Sequence, residues 1–219
     1  MNHAETSARD EILHRIRAAL HDVDSNLESA TTPIVAPPGA VPPHATGLVA
    51  HFAERVADYR ATVVRCPPAA LTAALTDALP EDARVVVPPG LPDDLLAAIR
   101  AAVPTPVVDT NLTATELDAC HAVVTCCRLG IAETGTIVLD HEPDQGRRAI
   151  TLVPDHHICI VHADQIVPDV PDAITLLDPQ RPLTWISGPS ATSDIELDRV
   201  EGVHGPRRLH VVVVDPNPS

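Results

Sequence analysis

Residues 84–108 read RVVVPPGLPDDLLAAIRAAVPTPVV and predict a strand, a helix and a second strand in succession. Val85, Val86 and Val87 are apolar at consecutive positions, which is typical of a strand covered by helices on both faces. The segment Pro92 to Ala102 has the length and apolar spacing of a helix. Short strands joined by helices form parallel sheets, so this stretch predicts an α/β fold.

The same alternation continues on both sides of this stretch. Towards the amino terminus, the pattern predicts a helix over 48–59, a strand over 61–65 and a helix over 69–78. Towards the carboxyl terminus it predicts helices over 113–118 and 171–177 and strands near 122–127, 136–139, 149–153, 158–162, 183–187 and 209–214. We therefore predict one α/β domain over residues 47–219, with a mostly parallel sheet flanked by helices.

Residues 1–46 are predicted to form an amphipathic helix and a linker. Ser7 can cap a helix that ends near residues 21–24, and Ile12, Ile16 and Leu20 recur on one face of it. Residues 31–44, TTPIVAPPGAVPPH, hold five prolines in fourteen positions, which favours an extended linker. The helix either packs on its own domain or docks on a partner.

Composition narrows the class of partner. The 219 residues include 15 Lys+Arg, all of them arginine, against 30 Asp+Glu, and 45% of the chain is apolar. This length and apolar content are sufficient for a core. A net charge of -15 repels nucleic acid, and one Trp, one Tyr and one Phe give no platform for stacked bases. We therefore expect no nucleic-acid partner.

Other features bear on location and cofactors. Five cysteines without a C-x-x-C pair, and no signal peptide, predict reduced thiols in the cytoplasm. No apolar run approaches the roughly 20 residues of a membrane helix. Phosphate-binding, dinucleotide and zinc-peptidase motifs are missing, so we expect no cofactor in this chain. His156 and His157 are adjacent and would face opposite sides of a strand, which disfavours a shared metal, although the nearby Cys159 and His162 leave a metal site open.

Residues 130–139, GIAETGTIVL, contain the sharpest candidate for chemistry. Glu133, Thr134 and Gly135 fall between two strands, where a carboxylate base, a hydroxyl and free backbone N–H groups can be presented together. Ligands of α/β sheets commonly bind at the carboxyl ends of strands, where such loops meet. The alternative is that these residues only shape a turn.

Residues 188–196, GPSATSDIE, form a second candidate. Ser193 and Glu196 have the spacing of a capping box, so a helix starting there would direct N–H groups at a carboxylate or phosphate. Ser190 and Thr192 supply hydroxyl groups beside it, and Asp194 lies within the same motif. A purely structural capped helix has the same pattern.

Two further motifs bring a titratable group and a cation. His204, between glycines in GVHGP (202–206), can act as an acid, a base or a ligand, or it can simply bond a nearby carbonyl. Arg147 and Arg148 can clamp a carboxylate, although arginines in loops are usually solvated. We expect one of the two to point inward.

Taken in order, five motifs resemble the LUD domain, the hallmark of the lactate-utilisation protein C family. They are IAETGTIVL (131–139), the two arginines leading into ITLVPDHHICIV (150–161), IVP (166–168), GPSATSDIE (188–196) and GVHGPRRLHVVVVD (202–215). The resemblance is strong over residues 120–215 and weaker in the amino-terminal helix and over 48–108. An ordered set of five motifs is far more specific than any one of them.

The resemblance implies a fold similar to the sugar-phosphate isomerase and CoA-transferase superfamily. It also implies a role in oxidising L-lactate to pyruvate with partner proteins that carry iron-sulfur clusters. On this interpretation the chain is an accessory subunit whose cleft binds a small anion, such as a carboxylate or phosphate, or a segment of a partner. The cleft is expected to be lined by Glu133 and His204 as candidate catalytic groups, with Thr134, Gly135, Arg148, Ser190, Thr192 and Asp194 as ligand-binding groups.

Two other functions stay open at this point. The chain can be an independent enzyme of the isomerase or CoA-transferase type, with Glu133 as base or acyl-accepting carboxylate. It can also be a non-catalytic binding or regulatory module, tethered to partners by its amino-terminal helix and linker.

Overall fold

The computed structural model describes residues 8–19, 47–80, 82–103, 105–192, 200–201, 204–216 and 218. The helices are α1 Ala8–Ala19, α2 Leu48–Asp58, α3 Leu71–Ala78, α4 Asp93–Ala102, α5 Ala114–Asp118 and α6 Val170–Leu176. The strands are β1 Thr62–Cys66, β2 Val85–Val87, β3 Val107–Val108, β4 Ala122–Thr125, β5 Leu129–Ile131, β6 Thr136–Leu139, β7 His156–His162, β8 Ile166–Val167, β9 Thr184–Ile186, β10 Ala191–Thr192, β11 Val200–Glu201 and β12 Arg208–Val214. Short 3-10 helices cover Pro68–Ala70, Arg148–Thr151 and Ala163–Gln165.

The chain divides into two units, Met1–Val35 and Ala36–Ser219. The first contains α1, and the second contains the remaining helices and all the described strands. The predicted Pro-rich linker over 31–44 lies outside the described residues. No helix in the described ranges has the length and apolar character needed to cross a membrane.

A six-stranded parallel sheet forms the centre of the second unit, in the order β1-β12-β7-β4-β2-β3. Its longest strands, β12 and β7, are neighbours with seven residues each, and Val211 lies opposite Cys159 in their register. Valine and isoleucine supply seven of their fourteen residues, and such branched side chains fit the pleated surface well. The sheet confirms the predicted fold class, an α/β domain with a mostly parallel sheet.

Alternate residues of this sheet face two different layers. Ile158 and Ile160 of β7 belong to a cluster with α3 and α4. Cys159 and Val161 face the other way, into a cluster with Phe52 of α2 and with residues of a second sheet. All four β7 side chains are fully buried. Both faces are covered, as the consecutive apolar residues predict.

The second sheet has four strands in the order β8-β5-β6-β9. β5 and β6 form an antiparallel pair around residues 132–135, β9 pairs antiparallel with β6, and β8 is parallel to β5. One side of this sheet packs against α2, and Ala173 of α6 packs on the other. The turn with Glu133 is therefore the tip of a hairpin.

Three glycines bring the backbone of this second layer directly against α2. A Cβ atom added at Gly130 would lie 2.9 Å from the Phe52 ring, and one at Gly135 would lie 2.5 Å from the carbonyl carbon of Arg55. A Cβ at Gly188 would lie 2.7 Å from Tyr59. Only a residue without a side chain allows this approach, so α2 fixes both the hairpin tip and the loop after β9.

Most predicted elements are confirmed to within two residues, but the strand predicted near 149–153 is wrong. Arg148–Thr151 is a 3-10 helix, in which the Ile150 N–H donates to the Arg147 carbonyl at 3.1 Å. Ile150 is fully buried against Val86 and Val123. The apolar residues therefore cover the sheet instead of extending it. The helix start predicted at Ser193 lies outside the described residues.

Candidate functional site

A pocket of about 240 Å³ opens where β7 and β12 begin, at the amino-terminal edge of the parallel sheet. His157 and Leu209, which are opposite each other in the register, lie in it. Its walls come from the 3-10 helix before β7, from β9 and the loop after it, and from the loop before β12. The lining residues are Arg148, Thr151, His157, Thr184, Trp185, Ile186, Ser187, Gly188, Pro189, Ser190, His204, Gly205, Pro206 and Leu209.

The pocket brings together three residues that the sequence nominated, Arg148, Ser190 and His204. Two hydrogen bonds join the loops that carry Ser190 and His204. The Ser190 N–H donates to the Pro206 carbonyl at 2.9 Å, and the His204 N–H donates to Ser190 Oγ at 3.3 Å. The roles of the three residues stay predictions. From the sequence we expected a ligand at the carboxyl ends of the strands. The pocket lies at the opposite edge of the sheet.

The adjacent arginines diverge, as the sequence predicted that they would. Arg147 makes a bidentate pair with Asp109, at 2.7 Å from Nε and 2.9 Å from Nη2, and also donates to the Leu112 carbonyl. Arg148 instead donates from Nη1 to Thr151 Oγ1 at 3.1 Å. No carboxylate of a described residue forms an ion pair with it, and partial burial lowers the pKa of its guanidinium. Arg148 is therefore the cation available to a ligand.

The Asp109–Arg147 pair joins the end of β3 to the loop before the pocket, and we expect Asp109→Asn to lower the free energy of unfolding by about 2 kcal/mol. Asp109 is 7% exposed. Its replacement by asparagine would leave the Arg147 guanidinium without a carboxylate partner. Arg147 lowers the pKa of Asp109, so this stability is present above the ordinary carboxylate pKa and is lost as the pH falls through the folded value. Urea unfolding at neutral pH measures the loss.

Asp58→Asn is the matched control, because the Asp58–Arg55 pair is exposed and 3.3 Å long. An exposed pair of this kind contributes at most about 0.5 kcal/mol. Equal losses in the two variants would contradict a structural role for the Asp109–Arg147 pair.

His157 forms the floor of the pocket and is 1% exposed. Its Nε2 lies 2.9 Å from the Thr125 hydroxyl. Burial, and next the charges of His156 and Arg148, lower the pKa of His157 to about 3. The ring is therefore neutral near pH 7 and offers hydrogen bonds without adding a positive charge.

A chain of three hydroxyl groups connects the pocket to the hairpin tip. Ser187 Oγ lies 2.8 Å from Thr136 Oγ1, which lies 2.7 Å from Thr134 Oγ1. Thr136 is 4% exposed, and its hydroxyl also lies 3.4 Å from the Thr134 carbonyl, to which it can donate. Thr134 does not line the pocket, whereas Ser187 does. Through Thr136, the Thr134 hydroxyl helps to hold the orientation of the Ser187 hydroxyl.

The other nominated residues do not share this pocket. Glu133 lies on the hairpin tip, with Oε2 3.3 Å from His51 Nε2, and neither Glu133 nor Gly135 is in the pocket wall. Thr192 lies in β10, which pairs with β11. Asp194 is outside the described residues. The eight residues predicted to line one cleft are thus divided between at least two places, and their functions stay predictions.

Several residues of the pocket were not predicted from the sequence. Thr151, Ser187 and Trp185 come from segments whose patterns indicated only ordinary strands and loops, and His157 was considered only as a metal ligand. One sequence signal was available, because Trp185 is the single tryptophan of the chain. In the structure its side chain is 41% exposed. Within the described ranges, no group of three or more His, Cys, Asp or Glu side chains is placed to hold a metal ion.

Comparison with known proteins gives a consistent family. The LUD domain model matches residues 49–214. Lactate utilization protein C of Deinococcus radiodurans is 46% identical, over 85% of this chain and 89% of the relative. Lactate utilization protein C 1 of Bacillus mycoides is 36% identical over 42% of each chain.

A solved structure agrees with the fold. The crystal structure of a DUF162 family protein from Deinococcus radiodurans is 43% identical, with a TM-score of 0.65, and the match covers 76% of this chain and 96% of that one. The resemblance seen in the five motifs is thus confirmed over most of the sequence, and the chain belongs to the LUD domain family.

Proposed function

We propose that this chain works in lactate utilisation as an accessory component that binds a small anion, while iron-sulfur partner proteins oxidise L-lactate to pyruvate. The name of the Deinococcus relative, Lactate utilization protein C, supports the first part at 46% identity. Removing two electrons from lactate requires an acceptor, and this sequence has neither the cysteine spacing of a cluster site nor a dinucleotide fingerprint. The electron acceptor is therefore assigned to the iron-sulfur partner proteins.

The pocket around Arg148 is the observation that carries the anion-binding part. Arg148 lines a concave site together with the hydroxyl-bearing residues Thr151, Ser187 and Ser190, and its guanidinium donates to the Thr151 hydroxyl at 3.1 Å. A planar guanidinium beside hydroxyl donors suits an anionic oxygen ligand. Small-molecule sites are typically concave and have a few converging polar groups of this kind.

Co-purification tests the proposal. The tagged chain, isolated from cells grown on lactate, is expected to bring down iron-containing proteins identified by mass spectrometry and an iron assay. Lactate oxidation with an artificial electron acceptor should be found in the complex and not in the separated chain. Cells grown without lactate serve as the comparison.

Two results would contradict the proposal. One is a chain that is recovered alone and free of iron from lactate-grown cells. The other is a separated chain that oxidises lactate by itself at the rate of the complex.

A further inference from the structure

We infer that His141, which does not line the pocket, is a positioning residue that holds two walls of the pocket at a fixed separation. One wall is the 3-10 helix that begins at Arg148, and the other is β9 with the loop after it. The inference rests on the proposed function, because it concerns how the same anion-binding site is held in shape.

The His141 ring connects the two walls. Its Nδ1 lies 2.9 Å from the Gly146 carbonyl oxygen, and its Nε2 lies 3.0 Å from the Thr184 hydroxyl. A carbonyl oxygen can only accept, so Nδ1 carries the proton and donates it. Gly146 lies shortly before Arg148 in the chain, and Thr184 is the first residue of β9 and lines the pocket. A single side chain therefore ties the two walls together from outside the pocket.

The backbone of His141 has an uncommon conformation. Its φ is 57°, in the left-handed region that residues other than glycine seldom adopt, although histidine enters it more readily than most. Leu139, the last residue of β6, lies opposite Thr184 in the β6–β9 register. The chain therefore turns at His141 so that the ring meets the strand paired with the one it has just left. Such strain is typical of functional sites, where the surrounding contacts maintain it.

Other bonds of the same loop have a different task. Gln145 is 2% exposed, and its Oε1 accepts from the Asp140 N–H at 2.8 Å. Arg147 is held by Asp109. These bonds shape the loop and orient Arg147, but none of them reaches β9. The bond from His141 to Thr184 does, so the separation of the two walls depends on it.

The wall separation decides whether one ligand can reach both walls at once. Arg148 lines the pocket on one wall, and Ser187 lines it on the other. Binding groups must be held to within about 0.5 Å, and hydrogen bonds behind the lining residues supply that precision. Removing the His141 bridge is therefore expected to weaken anion binding although no lining residue is altered.

Fluorescence of Trp185 tests the bridge in the full chain without any ligand. Trp185 is the single tryptophan, follows Thr184 in β9 and is 41% exposed. In His141→Asn we expect acrylamide to quench this fluorescence up to about twofold more strongly, because a wall without its tie opens more often. Asparagine tolerates the left-handed conformation and can replace Nδ1, but it has no atom at the place of Nε2. The variant therefore removes the bond to Thr184 without adding backbone strain.

Isothermal titration calorimetry with acetate and with inorganic phosphate gives the second measurement. Whichever probe binds the parent chain is expected to bind His141→Asn at least about fivefold more weakly. Thr184→Val should cause a similar loss, Thr184→Ser should restore binding because serine keeps the hydroxyl, and combining His141→Asn with Thr184→Val should add little. Asp82→Asn is the matched control, because Asp82 is exposed, has φ 60° and does not line the pocket.

The inference is overturned by unchanged quenching of Trp185 in His141→Asn, or by unchanged affinity for a probe that binds the parent chain. A lower melting temperature with both of these measurements unchanged would show a purely structural role for His141. Failure of the proposed function gives a different result. A parent chain that binds neither probe contradicts its anion-binding part, and the quenching of Trp185 still tests the bridge.

Discussion

Replacing Gly135 by alanine is expected to lower the free energy of unfolding by about 4 kcal/mol, and the melting temperature by about 10 °C. The residue has φ 57°, a left-handed conformation that disfavours any side chain. Its new Cβ would also lie 2.5 Å from the Arg55 carbonyl carbon. Phe52 and Val56 are fully buried on the same helix, so α2 cannot easily move away.

Gly47→Ala separates the two causes. Gly47 has φ 105°, but a Cβ there has no heavy atom within 4 Å. The control therefore carries only the conformational cost, about 1–2 kcal/mol. Thermal and urea unfolding of both variants, followed by circular dichroism, give the difference. If Gly135→Ala lost no more stability than Gly47→Ala, the close approach of the hairpin tip to α2 would be wrong.

The result also bears on how Gly135 should be interpreted. The sequence nominated it for ligand binding because it follows Glu133 and Thr134 in a turn. The structure supplies a different reason for glycine, namely contact with a helix some eighty residues earlier. A turn motif alone does not distinguish these reasons, since the helix that approaches it is distant in sequence.

The central sheet was predictable because its strands carry a local signal. β2 and β12 contain three and four consecutive valines, and β7 contains the apolar run Ile158 to Val161, which is typical of strands with both faces covered. β5 has Gly130 between Leu129 and Ile131, and β8 has only two residues, so neither carries a run of branched residues, and these two strands were not predicted. The run over 149–153 has the composition of a strand, but the packing of Ile150 on the sheet decides its conformation.

The site was only partly predictable for a related reason. Arg148, Ser190 and His204 lie in motifs that stand out by residue type. Which of Arg147 and Arg148 faces the pocket depends on Asp109, which is 38 residues away. His157 and Ser187 line one pocket because the two sheets pack together, and no local sequence pattern encodes that packing.

Lowering the pH from 6.5 to about 4.5 is expected to reduce the free energy of unfolding by about 4 kcal/mol through two buried histidines. Burial, and next the charges of Arg208 and His210, lower the pKa of His156 to about 4, and Asp155 opposes them. The pKa of His157 is lowered to about 3. Between pH 6.5 and 4.5 the unfolded chain binds protons at these histidines and the folded chain does not. The free energy of unfolding therefore decreases as the pH is lowered. Marginal stability of about 5–15 kcal/mol makes this a large fraction of the total.

His157→Gln tests the assignment, because glutamine keeps a hydrogen-bonding group for Thr125 but does not titrate. The slope of unfolding free energy against pH should fall by about 1.4 kcal/mol per pH unit in this variant. Asp144 acts in the opposite direction, since burial raises its pKa and its folded form takes up a proton first. Asp109 and Asp155, whose pKa values are lowered by Arg147 and Arg207, add their losses below the ordinary carboxylate pKa. An unchanged slope in His157→Gln would therefore mean that the histidine on the pocket floor takes up its proton equally well in the folded and the unfolded chain, which would contradict its burial as the cause of a lowered pKa.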